Sequence, residues 1–419
     1  MTGAGASYFV PLKTFSALGL VGPLLRALEK ERMVEPTPIQ ASAIPLSLAG
    51  RDLLGIAQTG TGKTAAFALP MLQHLISAPA RATHFATRAL ILAPTRELAL
   101  QIEDTLRRLT ALSPLRIVAI LGGVSRFMQV RRMRGGADIV IGTPGRICDL
   151  MATGELRLHQ VSQFVLDEAD RMLDLGFIRD IRRIVAALPI ERQSALFSAT
   201  MPPDVATLAG NLLCNPLCVD VAQSAPAPLP IEQHVYFVEP AGKRALLGRL
   251  LADAALSRVI VFTRTKRGAN QVAEALDTGG VPVVALHGNK SQPARQKALG
   301  QFRMGQVRVL VATDIAARGI DVASISHVIN FDLPAQPEDY VHRIGRTARA
   351  GASGIAISFC GATEQGALRS IERMTGTRLQ IAGGSLPSIQ PQRTQAQPEH
   401  RPSRRRWGGR SPAGLRPAA

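Results

Sequence analysis

The sequence predicts an α/β fold: two tandem units, each a mainly parallel sheet flanked by helices, followed by a disordered basic C-terminal tail. Three observations predict it. Short apolar runs alternate with helical patterns twice over, once across residues 51–222 and again across 231–382. Pro226-Ala227-Pro228-Leu229-Pro230 separates the two series and suits neither helix nor strand. At 419 residues the chain exceeds one ordinary domain, for which about 150 residues is the prior. The expected division is a first unit over 1–222, a linker over 223–230, a second unit over 231–382 and a tail over 383–419.

In the first series, Leu53-Leu54-Gly55-Ile56 is followed by runs at 89–93, 116–121, 138–141, 164–166 and 195–197. Continuous apolar strands of this kind belong to parallel sheets covered on both faces. Ligands of such sheets sit at the carboxyl ends of the strands. The second series offers strands at 259–262, 283–286, 307–311 and 327–331. Two similar units on a short linker enclose a cleft that can open and close.

The formal net charge of +18, carried mostly by arginine, favours a polyanionic partner, because guanidinium groups pair bidentately with phosphate and stack on bases. Four scattered cysteines, Cys148, Cys214, Cys218 and Cys360, read as reduced thiols. No apolar run approaches the roughly 18 residues of a membrane span, so a cytoplasmic location is expected. Beyond Gly383 the composition turns to Pro, Gln, Ser and Arg, ending in Arg404-Arg405-Arg406-Trp407. Such a tail buries too little apolar surface to offset its chain entropy, and its arginines and tryptophan suit RNA.

Chemistry concentrates after the first strand, in Ala57-Gln58-Thr59-Gly60-Thr61-Gly62-Lys63-Thr64. Glycines let backbone N–H groups approach a polyphosphate, a helix start adds its positive end, and Lys63 supplies a point charge. Ala57 stands where the generic pattern has its first glycine. Thr64 is placed to put its hydroxyl on a magnesium ion. Phe164-Val165-Leu166-Asp167-Glu168-Ala169-Asp170 sets three carboxylates directly after a buried strand. Asp167 then suits the magnesium ion, and Glu168 suits the orientation and deprotonation of an attacking water.

With these motifs in order, residues 15–359 resemble the DEAD-box RNA helicases of superfamily 2, and Phe262-Thr263-Arg264-Thr265-Lys266 with His287-Gly288-Asn289-Lys290-Ser291-Gln292 resemble their bacterial RhlE-type subgroup. The resemblance implies two RecA-like domains, ATP and Mg2+ as cofactors, and single-stranded or short duplex RNA as a largely sequence-independent partner of a monomeric protein. Ribosomal and messenger RNA complexes are both consistent with it. Pro36-Thr37-Pro38-Ile39-Gln40 resembles the Q motif, in which the Gln40 amide would match adenine N6 and N7. Arg32 and Met33 stand where the family usually has glycine and an aromatic; Met33 would pack on the base. Phe15 matches either the distant upstream aromatic or an ordinary core position.

The resemblance also implies an RNA track: Pro94, Thr95 and Arg96, then Gly122 and Gly123, then Thr143, Pro144, Gly145 and Arg146 in the first unit; Gln292, Arg295, Thr313 and Arg318 in the second. Ser198 and Thr200 would bond Asp170 and, with His342, couple hydrolysis to strand separation. Gly319 and Asp321 fall on the nucleotide side. Arg346 and Arg349 match the arginine fingers, and Ala348 replaces a usual glycine, tolerable unless that position needs positive φ. The implied activity is RNA-dependent ATP hydrolysis with local unwinding of short duplexes. An ATP-controlled RNA clamp or a DNA-directed translocase are the rival readings.

Overall fold

The computed structural model describes residues 14–57, 60–78, 80–221, 231–317, 322, 325–348 and 353–384. The expected linker at 223–230 lies outside them, as does the tail beyond Gly384. The described chain up to Gly384 packs as one unit built on two sheets.

The first sheet comprises β1 (Leu53–Ile56), β2 (Thr87–Leu92), β3 (Ile117–Ile120), β4 (Ala137–Gly142), β5 (Gln163–Leu166), β6 (Gln193–Ser198) and β7 (Leu217–Asp220). The second comprises β8 (Ile231–Phe237), β9 (Val259–Phe262), β10 (Val283–Leu286), β11 (Val309–Ala312), β12 (His327–Asn330), β13 (Gly354–Cys360) and β14 (Gln380–Gly383). Every strand pair is parallel. The strand orders are β3-β4-β2-β5-β6-β1-β7 and β10-β11-β9-β12-β13-β8-β14. Counted from its own first strand, the second lobe therefore repeats the topology of the first.

Parallel strands need crossover helices, and these cover both faces of each sheet. Along β2, Ala89 and Ile91 enter one core while Leu90 and Leu92 enter the other. That division explains why the run is apolar throughout: neither face meets water. Phe15 is buried in the first of these cores, so it is a packing residue of the lobe. Among the described residues no helix is long and apolar enough to cross a membrane.

Candidate active site and nucleic-acid interface

The carboxyl ends of β1, β5 and β6 bring the phosphate loop, the carboxylates and Ser198 to one edge of the first sheet. Gly60 and Gly62 adopt φ of 89° and 93°, a region open to glycine at little cost, and the helix Lys63–Ser77 starts directly behind them. Lys63 is 6% exposed and its Nζ has no hydrogen-bond partner among the described residues. A buried ammonium without an acceptor costs several kcal/mol, which an anion in the loop would recover. Thr61 sits in the loop and Thr64 opens the helix, both half-buried, while Gln58 and Thr59 lie outside the described residues.

Gln40 already has two partners within the protein. It is buried, its Oε1 accepts from Thr37 N at 3.0 Å, and its Nε2 donates to Gly62 O at 3.0 Å. One lone pair of the amide thus caps its own helix, and one N–H ties that helix to the phosphate loop. Met33, half-buried, packs against the core of the first lobe.

Behind β5, Asp167, Glu168 and Asp170 are all buried. Burial pushes the Asp167 carboxyl up to about 6, against the pull of Lys63, with the Glu168 carboxylate adding to the rise. Glu168 holds φ 55° and ψ 56°, a left-handed conformation that costs a non-glycine residue about 1 kcal/mol or more. Its backbone N donates to Asp167 Oδ1 at 3.0 Å. Asp170 Oδ2 accepts from Ala199 N, Thr200 N and Thr200 Oγ1 at 3.1, 3.0 and 2.9 Å, and Asp170 N donates to Ser198 Oγ at 3.3 Å. The structure therefore brings Asp170, Ser198 and Thr200 into one network.

On the nucleic-acid side, Pro94 is buried and Thr95 caps the helix Arg96–Leu109, its Oγ1 accepting from Leu98 N at 3.2 Å. Its hydroxyl hydrogen is still free to donate. Arg96 lies over the doublet Gly122-Gly123: a Cβ at Gly123, whose φ is 68°, would come within 2.3 Å of the Arg96 Nη1. Burial, then Arg295, lowers the Arg96 guanidinium below its usual range. Thr143 precedes the helix Pro144–Ala152, where Arg146 Nη1 donates to Val124 O at 3.4 Å and Gly145 is half-buried. Thr313, buried, follows β11.

Gln292 and Arg295 both have partners in the first lobe: Arg295 Nη2 pairs with Glu97 Oε2 at 2.9 Å and Gln292 Nε2 donates to Glu97 Oε1 at 3.3 Å. Arg96 Nη1 also reaches Gln292 Oε1 at 3.4 Å. A buried carboxylate demands partners, and these are the donors within reach. A second bridge joins Arg171 Nη1 to His342 Nδ1 at 3.2 Å. Burial, then Arg171, pushes His342 down to about 4, so its neutral ring accepts this bond. Arg346 is buried, donates from Nε to His342 O at 3.2 Å, and helps line a small cavity with Arg171 and Asp314.

Family models for the DEAD/DEAH box helicase and the helicase conserved C-terminal domain match residues 37–208 and 242–351. The chain is 43% identical over 369 residues to the DEAD-box ATP-dependent RNA helicase CshA of Geobacillus kaustophilus, covering 88% of this chain and 78% of that one. This chain belongs to the DEAD-box ATP-dependent RNA helicases. DEAD-box ATP-dependent RNA helicase 20 of Arabidopsis thaliana is 43% identical over 351 residues, 83% of this chain and 70% of the relative. Among solved structures, S. cerevisiae Dbp5 bound to RNA and ADP BeF3 superposes with a TM-score of 0.80 at 33% identity, covering 89% and 96% of the two chains. A DEAD box protein from Methanococcus jannaschii gives 0.52 at 38%, covering 90% and 100%.

The DEAD-box helicase is thus an ATP-using, RNA-binding, RNA-dependent ATPase on two RecA-like lobes. Its departures from the family pattern have visible geometry. Ala348 is buried at φ 54° and Arg32 sits at φ 57°, so both positions where glycine is usual do take positive φ. Arg318, Gly319, Asp321 and Arg349 lie outside the described residues. Sequence reasoning passed over three side chains. Glu97 and Arg171 anchor the two bridges, and fully buried Arg343 clamps Asp314 at 2.6 and 2.8 Å while stacking over Phe262. Only their place inside recognised motifs could have flagged them.

Proposed function

We propose that this helicase hydrolyses ATP at the edge of the first sheet and uses lobe closure to separate short RNA duplexes locally. The observation that carries the reading is Lys63, a buried ammonium without an acceptor among the described residues, in a glycine-shaped phosphate loop. Lys63 with the backbone of Gln58–Thr64 would receive the β- and γ-phosphates, and the remaining N–H and lone pair of Gln40 would read adenine with Met33 beneath it. Thr64, through its hydroxyl, and buried Asp167, through water, would hold a magnesium ion, which would supply charge neutralisation at the phosphates when bound. Glu168 orients the attacking water and takes its proton as the water oxygen bonds to the γ-phosphorus and ADP departs. Arg346 would stabilise charge on the transferred group, and the family's motifs assign the same role to Arg349 and a nucleotide-binding role to Gly319 and Asp321.

Pro94, Thr95, Arg96, Gly122, Gly123, Thr143, Pro144, Gly145 and Arg146, with Gln292, Arg295, Thr313 and Arg318, are assigned to the backbone of the RNA strand. The Asp170, Ser198, Thr200 and His342 network is assigned to coupling. In this scheme Gln292 and Arg295 act through Glu97 as well as through RNA. The division at 1–222, 223–230, 231–382 and 383–419, the RhlE-type affinity suggested by 262–266 and 287–292, and a cytoplasmic setting for the four free cysteines belong to the same proposal.

The test compares ATP hydrolysis without nucleic acid, with single-stranded RNA and with matched DNA, for the wild type and Glu168→Gln. RNA should stimulate the wild type and DNA should not, with the variant down about 10²–10⁴-fold as expected for loss of a general base. Equal stimulation by DNA, or an undiminished variant, would overturn the assignment.

A further inference from the structure

The helix Arg126–Met133 presents a surface that none of these roles uses. Val124, Phe127 and Met128 are 41%, 69% and 46% exposed, and no other Phe, Tyr or Trp among the described residues is exposed. Within the helix and its C-cap, residues 127, 131 and 134 recur at four- and three-residue spacing, so Phe127, Arg131 and Arg134 form one stripe. Gln129 and Met133, on the opposite side, are buried. Arg131, Arg132 and Arg134 are exposed, and no acidic residue occurs between Gly122 and Ala137. Arg126 is the exception among the local arginines, since it is paired with Glu155.

The helix is also locked to the expected RNA track. Gln129 Oε1 accepts from Leu121 N at 2.8 Å and its Nε2 donates to Leu121 O at 2.9 Å, which fixes the strand end leading into the glycine doublet. Val124 O, one residue beyond the doublet, receives Arg146 Nη1. An exposed ring between guanidinium groups is the composition of a single-strand platform: the ring stacks on a base of any identity and the arginines hold the flanking phosphates. A protein-docking patch would share the apolar exposure but gives no reason for uninterrupted positive charge.

We propose that the outer face of this helix is an additional single-stranded RNA site, in which Phe127 stacks on a base and Arg131 and Arg134 hold phosphates of the strand beyond Gly122-Gly123. The proposal rests on the RNA-track reading of the doublet and Arg146. It extends the footprint past the motif residues and makes affinity depend on the length of unpaired RNA.

The experiment measures dissociation constants by fluorescence anisotropy for the full chain with a non-hydrolysable ATP analogue. One RNA just spans the two lobes; the other carries about 8 further unpaired nucleotides at each end, within the range of single-strand site sizes. Wild type should bind the longer RNA more tightly, and Phe127→Ala should lose about fivefold to tenfold on it, as base–aromatic stacking predicts. Arg131→Ser with Arg134→Ser should lower the log-log salt slope by roughly 0.7 per arginine. Neither variant should change binding of the short RNA, the ATPase it stimulates or thermal unfolding. Wild-type affinity and slope for the longer RNA in both variants would overturn the proposal, as would undiminished binding when the extensions are paired into duplex. Failure of the wild type to bind even the short RNA would instead overturn the RNA-track reading, and this proposal with it.

Discussion

In each lobe the first strand of the sheet leads to a helix whose first residue is a lysine: β1 to Lys63–Ser77, and β8, through the turn Pro240–Gly242, to Lys243–Leu251. The topology is the same, yet the two lysines have opposite fates. Lys63 Nζ is buried without an acceptor among the described residues, whereas Lys243, 3% exposed, donates to Phe331 O at 2.8 Å and Glu364 Oε2 at 2.7 Å, and lies 3.5 Å from Asp332. The approaches differ as well: Gly60 and Gly62 take positive φ, while Gly242 sits at −85°. The first lobe leaves its cation for a ligand; the second consumes it in an ion cluster. A shared fold therefore places a lysine, and the acceptors around it decide whether it binds or braces.

Methionine at each position should separate these roles most sharply. Lys243→Met leaves Glu364 and Asp332 short of a cation in a buried cluster, so we expect about 3 kcal/mol of lost stability in denaturant unfolding, with ATP turnover retained by the folded fraction. Lys63→Met should lower turnover by more than about 10²-fold while leaving the unfolding midpoint unchanged or raised, since an unpaired charge disappears. The reverse pattern would break the comparison.

A smaller effect is expected where the lobes depend on each other. Glu97→Gln keeps the shape of the bridge but removes the charge that holds Arg295. We expect about 1.5–3 kcal/mol less support for closure, read as a longer dye-to-dye distance across the lobes and weaker RNA binding with an ATP analogue. No change in either readout would show that the bridge contributes nothing.

The smallest expected effect concerns the two left-handed positions at which the family usually has glycine, one in each lobe. Ala348→Gly and Arg32→Gly should each stabilise by about 0.5–1 kcal/mol in thermal unfolding, with ATP hydrolysis intact. Destabilisation by Ala348→Gly would mean that its buried methyl outweighs its backbone strain.

The phosphate loop and the carboxylates were legible because each is a local pattern, with glycines, lysine and acids set within a few residues of a strand end. Four strands, β7, β8, β13 and β14, were not among the expected runs, and two of them have local causes. β8 reads Ile-Glu-Gln-His-Val-Tyr-Phe, with polar residues breaking its apolar run, and β14 is a largely exposed edge containing Gly383. Gln292 and Arg295 illustrate the opposite limit: their spacing was visible, but their partner Glu97 lies nearly half the chain away. No window along the sequence contains both ends of that bridge.

The order of motifs, the doubled α/β pattern and the positive charge were determined by the sequence alone, because glycine conformations, strand hydrophobicity and side-chain chemistry are properties of short segments. Which cations stay available was decided by the tertiary structure. The folded chain brings the carboxylates of Glu364 to Lys243 and of Asp314 to Arg343, whereas Lys63 Nζ meets no hydrogen-bond acceptor among the described residues. Burial removes water as the alternative partner, so those distant acceptors set each charge's role.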